Sequence, residues 1–173
     1  EFDEKKLGVG RDENVACPNM FKLGDKWVLL CISHRLGCRY FIGDFKDEQF
    51  LPERHGMMNW AAWDFFAPES LLTPDGRRVM WAWCTHVFVK HYQPIPRTRN
   101  FPLLLKGKIQ TGIQSLPREL SLSEDGELLI KPLRELKKLR TDEKSVQDLT
   151  VKSDTVHVLE GISGDTMELE IVL

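Results

Sequence analysis

Short runs of apolar and aromatic residues alternate with turn residues along most of the chain. Residues 26–32 (KWVLLCI) and 39–45 (RYFIGDF) are such runs, separated by SHRLGC, and they predict a β-hairpin. Residues 70–72 and 77–83 flank Thr-Pro-Asp-Gly, and residues 121–122 and 127–130 flank Glu-Asp-Gly. Two further hairpins are expected there, because Asp-Gly readily adopts a tight turn. Closely joined short strands predict an all-β sandwich, barrel or propeller rather than parallel βαβ units.

The pattern changes after residue 133. Residues 134–148 (RELKKLRTDEKSVQD) are charged and lack a broad apolar stripe, so we interpret them as a connector rather than a packed helix. Residues 155–159 and 167–173 alternate in polarity as half-buried antiparallel strands do. Two strands alone are only marginally stable, so they are expected to pack on a partner or to begin a second domain. We therefore place one domain at residues 1–135 and assign residues 136–173 to a linker and the first strands of another.

Composition and charge narrow the range of partners. The 173 residues are 42% hydrophobic, enough to bury a core of ordinary size. The 24 basic and 26 acidic residues are mixed along the chain, so no nucleic-acid partner and no anionic lipid surface is predicted. No apolar run approaches the length of about 20 residues that spans a bilayer, and no membrane partner is predicted. No signal peptide is recognisable, and both extracellular and cytoplasmic locations remain open.

The cysteine and histidine pattern offers no metal site and no cofactor. The four cysteines form no CxxC pair, and the five histidines are scattered singly from residue 34 to residue 157. Cys31 and Cys38 flank the first predicted hairpin and could form a disulfide in a secreted protein. Free buried thiols are the more common interpretation of so few cysteines.

Aromatic and acidic residues gather in residues 58–70 (MNWAAWDFFAPES). Such loops often line sugar sites, because aromatic faces stack on sugar rings while carboxylates and amides bind the hydroxyls. The alternative is a loop whose aromatics fill a core. Trp81 and Trp83 share one face of a predicted strand, and core packing is the default for them too. Asp12 and Glu13 are interpreted as part of a solvated charged loop.

Five segments, taken in order, resemble glycoside hydrolase family 32, the invertases, inulinases and levanases that cleave fructosyl linkages. The first, residues 14–21 (NVACPNMF), is similar to the family's Glu-Cys-Pro-Asp/Asn-x-Phe segment, and LG-x-KWVLL follows it. Any one match would be weak, whereas five ordered matches are specific. The other four segments are YFIGDF (40–45), DFFAP (64–68), GRRVMWAW (76–83) and GIQSLPREL (112–120).

The resemblance implies a five-bladed β-propeller followed by a β-sandwich, with this chain supplying the last blades and the first sandwich strands. The family's Trp-x-Asn-Asp-Pro-Asn and Arg-Asp-Pro motifs do not occur here and would lie upstream, so the missing N-terminal half of the propeller is an expected partner. The implied activity is retaining hydrolysis of sucrose, inulin, levan or related fructans. The implied ligand is a fructose-containing oligo- or polysaccharide.

Ala16 stands where the family has its general acid/base glutamate. A methyl group can neither protonate a leaving oxygen nor activate water, so the chain as given is predicted to be inactive. Because Cys17 and Pro18 are retained, an engineered or very recent change is favoured, and a natural fructan-binding relative is the alternative. The resemblance assigns substrate contacts to Cys17, Asn59, Trp60, Asp64, Phe66 and Trp83.

Three departures from the family pattern concern the sugar contacts. Phe66 stands where the family often has tyrosine, and Ala82 where it often has glycine. Asn59 or Trp60 lies near a position that often holds an aspartate. Residues 84–108 match no family segment, and they form either a rim loop at the substrate entrance or a surface excursion.

Overall fold

A computed structural model describes residues 2–58, 65–84, 113–164 and 166–172, and the backbone of residues 104–105 and 108–109. The chain divides into two compact units, Glu1–Leu133 and Arg134–Leu173. In the described part of the chain, no helix is long and apolar enough to cross a membrane.

Strands account for nearly all of the regular structure in the first unit. The only α-helix among the described residues, α1, covers Glu4–Leu7; the Asp3 carboxylate accepts hydrogen bonds from the N–H groups of Lys5 and Lys6 at its start. The all-β prediction is confirmed. The strands are β1 Ala16–Leu23, β2 Lys26–Ser33, β3 Gly37–Lys46, β4 Gln49–Met57, β5 Phe65–Leu72, β6 Arg78–Cys84, β7 Leu104–Leu105, β8 Lys108–Ile109, β9 Ile113–Gln114, β10 Arg118–Leu122 and β11 Leu128–Pro132.

The first sheet is an antiparallel meander in the order β1-β2-β3-β4. The hairpin predicted from residues 26–45 is confirmed as β2 and β3, with Ser33 opposite Gly37 at its tip. The edge strands β1 and β4 were not predicted, because Pro18 and Pro52 interrupt their apolar patterns. Proline is tolerated at a sheet edge, since its missing N–H need not join the ladder.

The second sheet has the order β11-β10-β6-β5, with β9 also paired to β6. Both predicted Asp-Gly hairpins are confirmed, and Gly76 and Gly126 take φ angles of +82° and +75° in the turns. Between β9 and β10, the Ser115 hydroxyl accepts a hydrogen bond from the Ala82 N–H at 3.0 Å, and the Ser115 N–H donates to the Ala82 carbonyl at 2.8 Å. Ser115 thereby bridges the gap between the two short strands.

Two apolar clusters stabilise the first unit. One contains side chains from both sheets, among them Leu30, Tyr40, Phe65 and Met80, and therefore joins the sheets. The other packs Leu7 and its neighbours from the N-terminal segment onto the opposite face of the first sheet, against Cys31 and Phe41. One antiparallel sheet has four strands and the other has four in a row plus the short β9, and propeller blades are four-stranded antiparallel sheets. The number of blades in the whole fold stays a prediction.

All four cysteines are free. Cys31 and Cys38 lie on neighbouring strands, but Cys38 belongs to the cluster between the sheets and Cys31 to the cluster on the opposite face. Their side chains therefore point away from each other, and the disulfide considered for a secreted protein is ruled out by this geometry. The alternative of free buried thiols is correct for both.

The second unit carries little regular structure. Arg134–Leu139 forms a 3₁₀-helix with no buried residue, where a connector had been predicted. No strand lies within the described residues from 140 to 172. Alternation alone does not make a strand where no neighbouring strand pairs with it. Most of the apolar side chains here are exposed, up to 92% for Val156. The assignment of residues 136–173 to a sandwich stays a prediction.

Candidate functional site

Position 16 lies at the start of β1, where the strand is irregular. Ala16 is opposite Ile32, but the pairing register shifts before Asn19. Within the shift, Cys17 has a φ of +48° and is followed by Pro18. A left-handed non-glycine residue costs about 1–3 kcal/mol and is maintained where its surroundings require it. The bulge therefore affects the direction in which the side chain of residue 16 points from the strand.

Strand β5 begins with the same irregularity. Phe66 is opposite Trp83, and the register shifts before Glu69. Within this shift Ala67 has a φ of +47° and is followed by the fully buried Pro68. Because proline has no N–H, the interrupted ladder leaves no backbone donor unpaired at that residue. The first strand of each sheet thus opens with a bulge of the same kind.

The two bulges lie at the same end of the sheets. The Ser70 hydroxyl donates to the Asn19 side-chain oxygen at 2.5 Å, which joins β5 to β1. Nearer the strand starts, the His34 and Phe66 rings meet edge-on with centroids 6.2 Å apart. His34 follows Ser33, the last residue of the strand that pairs with position 16. These contacts bring the Ala16 end of the first sheet next to Phe66 and Trp83 of the second sheet.

An open groove of about 270 Å³ lies on the second sheet beside this junction. Trp81 and Trp83 share its face, as predicted, but Trp83 is 49% exposed, so core packing is wrong for that residue. An exposed indole face with a carboxylate and an amide beside it can stack on a sugar ring and bind its hydroxyls. The groove is lined by Ala67, Glu69, Trp81, Ala82, Trp83 and Gln114.

Glu13, three residues before position 16, is not the solvated acid predicted from sequence. Its side chain is only 5% exposed, and it accepts a hydrogen bond from Arg35 Nε at 2.6 Å. Burial alone would raise the pKa of Glu13. Hydrogen bonds from Ser33 and Arg35 and the charges of Arg35 and Arg39 outweigh that effect, so the pKa of Glu13 lies below its ordinary value.

Four of the seven predicted site positions lie within the described residues, and their roles stay predictions. Ala16 and Cys17 lie at the first bulge, and Phe66 and Trp83 are paired at the second. Asn59, Trp60 and Asp64 lie outside the described residues.

Sequence reasoning missed Glu69 and Gln114, which meet only through the pairing of β5 and β9 with β6. In the described ranges, no group of three or more His, Cys, Asp or Glu side chains could hold a metal ion.

Comparison with known proteins identifies the relatives of this chain. The model of the Glycosyl hydrolases family 32 N-terminal domain matches residues 3–132. Levanase from Bacillus subtilis (strain 168) is 27% identical over 175 residues, which cover 88% of this chain and 24% of the levanase. Sucrose-6-phosphate hydrolase from Vibrio alginolyticus is 29% identical over 171 residues, covering 90% of this chain and 33% of that enzyme. The chain thus spans about a quarter to a third of the length of these relatives.

A solved structure supports the fold. The structure of sucrose-6-phosphate hydrolase from Lactobacillus gasseri matches with a TM-score of 0.55 and 21% sequence identity, over 79% of this chain and 29% of that one.

Proposed function

The chain belongs to glycosyl hydrolase family 32, and we propose that it forms part of a glycosidase-type site for fructosyl units in which alanine occupies the general acid/base position. The main support is the junction of the two bulged strand starts, which brings position 16 to the same end of the sheets as the exposed Trp83. The relatives named levanase and sucrose-6-phosphate hydrolase support a fructose-containing substrate, such as sucrose, levan or a related fructan.

The groove residues suit such a ligand. Trp83 offers an apolar face for one side of a sugar ring, and Phe66 lies opposite it on the neighbouring strand. Glu69 can accept hydrogen bonds from sugar hydroxyls, and Gln114 can both donate and accept them. We extend the substrate contacts to Cys17, Asn59, Trp60 and Asp64 on family resemblance.

Cleavage by such a site depends on position 16 and on a second, attacking carboxylate. A retaining glycosidase needs two carboxyl groups about 5–5.5 Å apart: one attacks the anomeric carbon, and the other protonates the leaving oxygen and then takes a proton from water. The Ala16 methyl group can do neither, and the family motif that carries the attacking carboxylate does not occur in this sequence.

Glu13 does not replace the missing acid. A general acid must be protonated at the working pH, whereas the lowered pKa keeps Glu13 ionised at neutral pH. The Glu13 carboxylate also already accepts hydrogen bonds from Arg35 and Ser33. These observations favour a second candidate function, a fructan-binding protein that holds its ligand without cleaving it.

Restoring the acid tests the proposal. In a protein that contains this chain together with the attacking carboxylate, Ala16→Glu is expected to raise hydrolysis of sucrose or levan by about 10²- to 10⁴-fold, the usual contribution of a general acid/base. Ala16→Gln is the matched control, because it has nearly the same shape but no proton to give.

The two variants separate the candidate functions. A gain for Ala16→Glu alone supports the glycosidase-type site. Equal rates for the two variants, with fructan binding retained, support the binding protein. Equal rates with no binding contradict both candidates.

A further inference from the structure

Arg39, on β3, is a buried cation whose place in the fold calls for an explanation. Its side chain is fully buried, and its Nε atom has no hydrogen-bond partner. Arginine stays charged in proteins, so burying it is costly unless strong acceptors surround it. None of the ion pairs found in the described part of the chain includes Arg39. Its partners are therefore backbone carbonyls and a neutral ring.

Three acceptors surround the guanidinium group. Nη2 donates to the Asn14 carbonyl at 2.6 Å and, at a longer 3.5 Å, to the Glu13 carbonyl. Nη1 lies 3.4 Å from His55 Nε2. The guanidinium also lies 5.1 Å from the centre of the Phe41 ring.

His55 is held as a neutral acceptor. Its Nδ1 lies 3.2 Å from the Leu7 carbonyl, which can only accept, so Nδ1 carries the proton and Nε2 is free to accept from Arg39. Burial and the Arg39 charge lower the pKa of His55, more than the Leu7 carbonyl and Glu13 raise it. The ring therefore adds no second charge beside the guanidinium.

The shortest of these bonds, at 2.6 Å, ends on the backbone just before the candidate site. Asn14 precedes Ala16 by two residues, and Ala16 opens β1 opposite Ile32. The Glu13 side chain is held separately by Arg35. Residues 13 and 14 are thus fixed through their carbonyls by Arg39 and through a carboxylate by Arg35.

We infer that Arg39 is a positioning residue, which fixes the backbone ahead of position 16 and so determines where the side chain of residue 16 enters the site. The anchoring follows from the contacts of Arg39 alone. Only its significance for a sugar site rests on the proposed function. Arg39 lies on β3 and Asn14 lies two residues before β1, so a strand of the first sheet holds the segment that leads into another strand of the same sheet.

Amide hydrogen exchange of the full chain, read by mass spectrometry, tests the anchoring. Arg39→Met removes the donors and keeps much of the side-chain volume. Arg39→Met is expected to speed amide exchange in residues 12–17 about tenfold, which is equivalent to about 1.4 kcal/mol. This value is close to the smallest contribution to stability that is typical of a hydrogen bond to a charged group. Arg39→Lys keeps the charge and one donor group, so its exchange rate should lie between those of the unmodified protein and Arg39→Met.

Arg78→Met is the matched control. Arg78 also has a buried Nε without a partner and also packs on a phenylalanine, with its guanidinium 4.3 Å from the Phe21 ring centre. Among the side-chain hydrogen bonds of the described residues, those to residues 13 and 14 come from Ser33, Arg35 and Arg39, and none comes from Arg78. In Arg78→Met, residues 12–17 should therefore not exchange faster than in the unmodified protein by more than residues in β2 and β3 do.

Two results would overturn the inference. One is unchanged exchange in residues 12–17 of Arg39→Met. The other is acceleration of equal size in β2 and β3, which would make Arg39 an ordinary core residue. If Arg39→Met does not fold, the same comparison is made with Arg39→Lys. Fructan binding by the unmodified protein is measured separately, so the anchor can be established even if the proposed function fails.

Discussion

Gly56 lies where the first sheet has no room for a side chain. It pairs with Tyr40 across β3 and β4. A Cβ atom built at Gly56 would lie 2.5 Å from both Cζ and the hydroxyl oxygen of Tyr40, whereas real Cβ contacts essentially never fall below 3.0 Å. The Tyr40 ring is buried in the cluster that joins the sheets. We therefore expect Gly56→Ala to displace a ring that has little space to move.

The displacement sets the size of the effect. The ring must move by at least about half an ångström, and overpacking of this kind typically costs about 1–3 kcal/mol. Gly10→Ala is the matched control: its Cβ would also lie 2.5 Å from a neighbour, but that atom is the tip of the exposed Asp12 side chain, which can swing away. We expect Gly10→Ala to change the free energy of unfolding by less than about 0.5 kcal/mol.

Urea denaturation followed by tryptophan fluorescence measures both variants. Tyr40→Leu removes the atoms that clash, so in that background Gly56→Ala should lose most of its effect, giving a coupling energy of about 1–2 kcal/mol. The reasoning is refuted if the two substitutions are additive, or if Gly56→Ala and Gly10→Ala destabilise equally.

Three further predictions concern single side chains. Folding lowers the pKa of Glu13, so its ionised form adds stability at neutral pH, and this stability is lost as the pH falls below the ordinary pKa of 4.5. Glu13→Gln should therefore flatten the acid side of a profile of melting temperature against pH. An unchanged profile would contradict this prediction. Burial raises the pKa of Cys31 to about 11 and that of Cys38 to about 12. Iodoacetamide at pH 8 should therefore label the exposed Cys17 and leave Cys31 and Cys38 unmodified, as measured by peptide mass. Equal labelling of the three cysteines in the folded protein would contradict this prediction. Ser115→Ala leaves the Ala82 N–H without its acceptor hydroxyl and should lower the free energy of unfolding by about 1–3 kcal/mol in urea; an unchanged midpoint would show that the bridge is dispensable.

Local patterns predicted the hairpins and failed at the sheet edges. The Asp-Gly turns and the apolar runs of β2, β3 and β6 are local signals, and they placed those strands correctly. Strand β4 contains Pro52 and several polar residues, and only its neighbour β3 makes it a strand. Residues 155–159 have the alternation of a strand but lie in a largely exposed stretch without regular secondary structure.

The candidate site was predictable where it rests on a motif. The sequence located position 16 and the Phe66 and Trp83 segments, because each belongs to a family segment. Glu13 was misread as solvated, since its burial depends on Arg35 and Ser33, 20 or more residues away. Arg39 carried no sequence signal, because its acceptors are backbone carbonyls, which every residue has.

Sugar binding by the unmodified protein tests the central claim most directly. Isothermal titration with a fructan oligosaccharide should show saturable binding, and Trp83→Ala should weaken it by about tenfold or more through loss of the stacking face. A glucan oligosaccharide of equal length should not bind. Absence of fructan binding, or binding unaffected by Trp83→Ala, would contradict a fructosyl site at this junction.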